Sequence, residues 1–309
     1  MFQTPFTELH VMKKTSIALL ALALTGGVAS AADLGKKKAP APAPVVVSPW
    51  DFTVGGGLTS NYLFRGISQS NNGVSGNVNA ELRYTINPTW QLYVGSAASS
   101  IKLTNQATSP SVELDAIGGV RATIGNLTVD VGGIYYVYPY DTKEAGNFTG
   151  TYTTGLWVTN PSWYEGYAKV SYNVTDAFSV GANAYYTPSF LDMRANGTYL
   201  SGTAKYTMGD FALSGEFGRQ WLGSTDAAHA PTYPVSGRNL PDYNYWNAGV
   251  SYSYKFATLD LRYHSTDLSK NACASITGSS TNPASASSKY CGTAVVGTLS
   301  FALSGKDLK

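Results

Sequence analysis

Charge is what this sequence has least of. Asp, Glu, Lys and Arg make up 13% of its 309 residues, where an average soluble domain carries about 25%. The 21 basic and 19 acidic residues leave a formal net charge of only +2. A nucleic-acid binder would gather a basic excess into a patch, so nucleic acid is not an expected partner. Long hydrophobic runs are also missing: nothing after Trp50 approaches the ~20 apolar residues of a membrane-crossing helix. Histidine is limited to His10, His229 and His264, and cysteine to Cys273 and Cys291. What is plentiful is glycine, at 32 residues, and tyrosine, at 22. Aromatic content of 13% argues against disorder, and the glycine and tyrosine lean toward β structure.

The small positive balance has an address. Residues 1–49 carry a net charge of +3, and the chain from Trp50 onward a net of −1. Met12-Lys13-Lys14, the apolar Ile17 to Leu24 and the small-x-small site Ala29-Ser30-Ala31 form the three-part grammar of a secretory signal peptide, residues 1–31. The eleven residues before Met12 are unlike an n-region, which makes Met12 an alternative start. Residues 32–49 include KKKAPAPAPVVVSP, a Lys/Pro-rich run expected to form an extended, semi-rigid periplasmic spacer. Cys273 and Cys291 lie 18 residues apart in a Ser/Ala/Asn-rich stretch. In an exported chain such a pair reads as a disulfide, worth roughly 3 kcal/mol in the loop-entropy model. No His or further Cys stands near it at ligand spacing, so neither metal nor cofactor is expected.

The body is patterned with period two. Val78, Ala80, Leu82, Tyr84 and Ile86 alternate with Asn77, Asn79, Glu81, Arg83 and Thr85. Phe178, Val180, Ala182 and Ala184 alternate with Ser179, Gly181, Asn183 and Tyr185. Such alternation marks strands with one apolar and one polar face. About twelve segments follow it: 51–66, 75–86, 90–102, 112–124, 127–138, 163–174, 178–189, 199–208, 211–221, 244–254, 257–266 and 293–303. They exceed the 5–6 residues of an ordinary strand and match the 9–11 that cross a bilayer at a tilt.

Links between them alternate strictly. Asn87-Pro88-Thr89, Gly125-Asn126, Thr175-Asp176-Ala177, Gly209-Asp210 and the turn at Lys255 are short. The stretches 67–74, 103–111, 139–162, 190–198, 222–243 and 267–292 are longer and polar. Short turns at one end and long loops at the other are the signature of an outer-membrane barrel. The expectation is therefore an all-β, transmembrane, antiparallel up-and-down β-barrel of about 12 strands over 50–303, with a short tail at 304–309. Both termini would be periplasmic. A soluble β-sandwich is the main rival, but its links need not alternate. Aromatics cluster at both strand ends: Tyr84, Trp90, Phe178 and Phe211 near the short turns, Tyr62, Phe64, Tyr135, Tyr164, Tyr186 and Trp246 near the long loops. That is the arrangement of two interfacial belts.

With the apolar faces toward lipid, the opposite face becomes a lumen. It would carry Arg65, Glu81, Arg83, Glu113, Asp115, Arg121, Asp130, Glu165, Lys169, Lys205, Glu216, Asp260 and Arg262 as pore-lining residues. Arg219 falls on the lipid side near the outer rim, where it can snorkel. Seven acids against six bases should not select strongly between anions and cations. Opposite charges can also pair across the lumen and narrow it, and twelve strands leave a narrow water path at best. The composition of the loop from Pro139 to Ser162 leaves open whether it folds into the mouth or caps the surface.

Catalysis is not expected. His264 and Ser265 are adjacent on a strand and point to opposite faces, and there is no GxSxG, phosphate-binding loop or His-Glu metal motif.

The run WDFTVGGGLTSNYLFRGISQS, from Trp50 to Ser70, followed by an alternating second strand and an Asn-Pro turn, resembles the TorF family of outer-membrane porins. Its most specific piece is Ser60-Asn61-Tyr62-Leu63-Phe64-Arg65-Gly66. The resemblance implies an outer-membrane channel set in lipid and lipopolysaccharide and inserted by the barrel assembly machinery. Its last aromatic, Phe301, is followed by ALSGKDLK, a departure from barrels that end on the aromatic residue the machinery reads. The expected function is passive, weakly selective diffusion of small hydrophilic solutes. The alternative is a closed barrel with a structural or surface-recognition role.

Overall fold

The structure, a computed structural model, describes residues 48–103, 110–139, 162–225, 239–277, 287–305 and 307. The expected signal peptide, nearly all of the spacer and most of the 139–162 loop lie outside the described residues. Twelve long strands form the wall: β1 (Trp50–Thr59), β4 (Ser75–Thr85), β5 (Trp90–Ser100), β6 (Val112–Ile124), β7 (Leu127–Val137), β8 (Trp163–Asn173), β9 (Phe178–Thr187), β10 (Gly197–Met208), β11 (Phe211–Leu222), β12 (Tyr243–Tyr254), β13 (Ala257–Thr266) and β14 (Ala294–Ser304). Each pairs antiparallel with its sequence neighbour in the wall, and β1 pairs with β14, Gly56 opposite Phe301, to close the barrel. Closure leaves each of these twelve strands paired on both sides.

Short turns follow from local chemistry. Asn87 accepts hydrogen bonds on Oδ1 from the backbone N–H of Thr89 (2.9 Å) and Trp90 (3.0 Å). Thr175 does the same with Oγ1 for Ala177 (3.2 Å) and Phe178 (3.0 Å). These are local side-chain caps of the kind Asn and Thr supply. Once the turns set the register, parity decides every face. Val54, Val78, Leu92, Val131, Leu200, Leu213, Leu261 and Leu299 all point outward and are exposed. Water tolerates contiguous apolar patches of a few hundred Å², and this belt circles the whole molecule. Strands of 10–13 residues, at about 3.3 Å per residue and tilted, span the ~25 Å apolar band of a bilayer. The protein is a transmembrane barrel. Among the described residues no helix is long and apolar enough to cross a membrane.

The wall departs from the sequence reading in one place that matters. The first strand does not run to residue 66 but stops at Thr59, which pairs with Ser75 of β4. The intervening segment turns inward as a small hairpin, β2 (Leu63–Phe64) and β3 (Ile67–Ser68). Its two-residue tip is Arg65-Gly66, with φ of 45° and 82°, the positive values that a tight hairpin turn requires. Gly66 is obligatory there, because a Cβ would fall 2.8 Å from Tyr245 Cδ2. Asn61 anchors the base, accepting on Oδ1 from Ser68 Oγ (2.6 Å) and Ser70 Oγ (3.2 Å). Tyr62 and Phe64, expected in the outer aromatic belt, are instead buried inside.

Two loops expected to be merely polar also carry structure. A 3₁₀ turn at Phe190–Asp192 drops Phe190, Met193 and Ala195 into the interior. In the loop after β13, α1 (Lys270–Thr277) buries Cys273, Ala274, Ser275 and Ile276. Cys273 is disulfide-bonded to Cys291, with Cα atoms 5.8 Å apart.

Candidate pore and its closure

The interior is built in levels, from the long-loop end downward. At the top lies an apolar cluster in which Phe64 and Ile67 of the hairpin meet Tyr136, Trp163 and Phe190 of the wall and loops. Trp163 stacks on Tyr136 with ring centroids 4.6 Å apart and takes Phe64 and Phe190 edge-on at 6.0 and 5.1 Å. Glu113 accepts hydrogen bonds from the Tyr62 and Tyr138 hydroxyls, one on each carboxylate oxygen. Burial, and then the Glu113 carboxylate, hold both phenols well above their usual range, so they stay protonated donors. Asp115 lies one step down the same strand face.

Below this sits the hairpin tip. Arg65 is 2% exposed. Its Nη2 donates to both carboxylate oxygens of Glu165, at 2.9 and 2.8 Å, and its Nη1 to Gln220 Oε1 at 2.6 Å. The guanidinium lies over the rings of Tyr199, Phe64 and Tyr185 at 4.3, 4.7 and 5.1 Å. A cation here is desolvated, and only this full set of partners offsets that cost. Arg65 therefore reaches the barrel interior from the hairpin and not from the wall.

A band of tyrosines lies flat against the wall at mid-height. Tyr199 occupies the space over Gly218, where a Cβ would fall 2.6 Å from its ring. Tyr93 and Tyr167 use Gly119 and Gly132 in the same way. Cations cover the inner ring faces: Arg121 over Tyr93 at 4.7 Å and Lys169 over Tyr167 at 4.2 Å. The Tyr93 hydroxyl bonds Asp130 at 2.5 Å and also contacts the Tyr167 hydroxyl.

The lower lumen holds two charge networks. In one, Arg121 pairs with Asp130 (3.1 Å), Arg83 with Asp51 (2.9 Å), and Glu81 lies 3.7 Å from each arginine. In the other, Arg262 pairs with Asp260 (3.0 Å) and donates to Asn247 and Ser214, both at 2.7 Å. Asn247 reaches Glu216 Oε2 (3.3 Å), and Tyr199 donates to Glu216 Oε1 at 2.9 Å. Lys205, on β10, lies half-buried opposite Ser214 and Ser179. His264 faces the lumen and meets Tyr245 Oη at 2.9 Å, whereas Ser265 pairs with Thr293. Arg219 lies outward at the rim, 3.7 Å from Asp242.

The charged residues of the wall strands other than Arg219 lie on the face opposite the exposed apolar belt. Asp51, the first residue of the segment 51–66, shares that face and pairs with Arg83. The tyrosine lining, Gln220 and the hairpin's burial were not anticipated. Only the Arg65-Gly66 dipeptide signals the turn, and it is weaker than the usual Asn-Gly. Among the described residues, no cluster of three or more His, Cys, Asp or Glu is placed to hold a metal ion.

Fold and interior together define a transmembrane β-barrel whose charged interior is filled at its long-loop end by a hairpin of its own chain. The chain belongs to the Gcw_chp family, bacterial proteins of unknown function, whose family model matches residues 44–291. No curated protein matches the sequence. Solved structures similar to it include the NanC porin, 14% identical with a TM-score of 0.44 over 82% of this chain and 100% of that one. The P. putida toluene transporter TodX is 11% identical, with a TM-score of 0.43 over 83% of this chain and 90% of that one. The KdgM porin is 8% identical, with a TM-score of 0.39 over 81% and 98%.

Proposed function

We propose that the protein is an outer-membrane channel for passive, weakly selective diffusion of small hydrophilic solutes, held closed in this conformation by the Arg65 hairpin. One observation carries the reading: the lumen is a lattice of ion pairs and hydroxyls where an apolar filling would serve stability at least as well. Replacing buried ion pairs by packed apolar residues is often neutral or stabilising. A barrel with no need for water inside has no use for thirteen or more charged lumen groups. The signal-peptide grammar, the Pro-rich spacer and the TorF resemblance point the same way. They favour an outer-membrane location with both termini in the periplasm, and membership of the TorF porins. With Asp51 added to the acidic set the lumen is only slightly anionic, so selectivity between small ions should be weak.

The filled outer half gives the second reading its support: a closed barrel acting through its outer loops. Reconstitution in planar bilayers separates the two. The channel reading expects discrete conductance steps and a reversal potential near zero in a salt gradient, shifted slightly toward cations. A strong preference for one ion sign would refute the balanced lumen. Silence across a range of salts, in the native barrel and in one lacking the hairpin, would overturn the channel.

A further inference from the structure

Besides the Tyr62–Glu113 bond and the Lys102 N–H on the Gln69 carbonyl (2.8 Å), the hairpin is gripped at two ends. Its tip is held from below by Glu165 and Gln220. Its trailing arm is held from above by the disulfide-closed loop between β13 and β14. The Ser68 backbone N–H donates to the Tyr290 carbonyl at 2.8 Å. The Tyr290 hydroxyl donates to Asn71 Oδ1 at 2.6 Å, and Asn72 Nδ2 reaches the Lys289 carbonyl at 3.5 Å. Ile276 of α1 and both cysteines belong to the same apolar cluster as Phe64 and Ile67. A pocket of about 50 Å³ remains between hairpin and loop, lined in part by Phe64, Ile67, Ile276 and Tyr290.

Tyr290 is fixed from its C-terminal side. Cys291 follows it directly, is bonded to Cys273 on α1, and its carbonyl accepts from Thr266 Oγ1 at 2.5 Å. α1 in turn is tied back by Ser288 N–H to the Lys270 carbonyl at 2.9 Å and by Thr277 Oγ1 to Ser288 Oγ at 3.0 Å. The disulfide thus ties α1 to residues 288–291, and the inner edge of this bracket is the Tyr290 carbonyl that Ser68 uses. The backbone pairing of β13 with β14 does not pass through that bracket: it runs from Ala257 opposite Phe301 to His264 opposite Ala294.

From this we propose that α1 and residues 287–291, joined by the Cys273–Cys291 disulfide, are the clasp that keeps the hairpin's trailing arm seated in the lumen. It rests on the reading of the hairpin as the closure. Cutting the disulfide should loosen the hairpin's trailing arm without loosening the wall, because the grip on Ser68, Asn71 and Asn72 depends on Tyr290 and Lys289 being held in place.

Hydrogen exchange on the folded protein in lipid tests this without any need for conductance. The probe is a dithiol, which takes up the disulfide by exchange and is itself oxidised to a cyclic disulfide, leaving two protein thiols. Reduction should speed exchange across residues 60–74 by about tenfold while the wall strands keep their protection. Cys273→Ser with Cys291→Ser should reproduce the effect. Tyr290→Phe, which spares the disulfide and removes one bond to Asn71, should give a smaller rise confined to the same segment. Unchanged exchange at 60–74 after complete reduction overturns the clasp, and so does an equal rise throughout the barrel, which would make the disulfide a general staple. If exchange responds as expected but neither form conducts, it is the channel reading that fails and not the clasp.

Discussion

At the scale of the residue, Arg65 gathers two carboxylate oxygens, an amide oxygen and three aromatic rings around one buried cation. Removing one partner of a buried ion pair strands the other, at a cost of about 3–5 kcal/mol. Arg65→Ala should therefore lower the urea midpoint of the lipid-reconstituted barrel, or free the hairpin and let water reach Glu165. Adding Glu165→Ala should recover much of the loss, and a double-mutant cycle measures how much. Additive effects would mean that the pair is not coupled. Gly66→Ala is the backbone counterpart. A Cβ at φ of 82° and 2.8 Å from Tyr245 should cost about 1–3 kcal/mol, read as a lower unfolding midpoint. Lumen residues such as Glu81, Arg83, Lys205 and Arg262 were legible because strand parity leaves no choice once alternation is seen. Tyr62 and Phe64 were not. They continue the alternation of β1, and nothing in their type separates an interfacial aromatic from a buried one.

At the scale of the element, the twelve wall strands and their turns were readable almost residue for residue, because length, period and turn chemistry all agree. The first strand was read as running to residue 66. The motif from Ser60 to Gly66 was visible as the most distinctive stretch in the chain, yet its fold was hidden. An Arg in a positive-φ turn is stabilised by distant partners, Glu165 and Gln220, and distance in sequence conceals such partners. The same holds for Phe190 and for α1, whose burial depends on what the barrel mouth offers them. Thr59 and Ser75 are already paired, so a two-residue Asn-Gly turn can join them in place of residues 60–74. The resulting barrel should keep its fold, because β1 and β4 retain all ten of their registered pairs from Trp50–Tyr84 to Thr59–Ser75. Retained heat-modifiable gel migration checks this. Its loss would mean that the hairpin is part of the barrel's core and not a removable closure.

At the scale of the whole molecule, low charge acquires a geometry. The lipid-facing half of each strand gives up its charges, since one at the bilayer midplane costs about 2–4 kcal/mol. Those that remain lie inside the barrel, where they pair with one another and with tyrosines, or in the turns, loops and rim. The central claim is that this lumen is a channel and the hairpin its closure. The most direct measurement is single-channel conductance of the barrel in which Asn-Gly replaces residues 60–74, beside the native protein in the same bilayer. The account predicts larger and longer-lived steps for the hairpin-less barrel, with a reversal potential still near zero. Silence from a hairpin-less barrel that is demonstrably folded and inserted would contradict it.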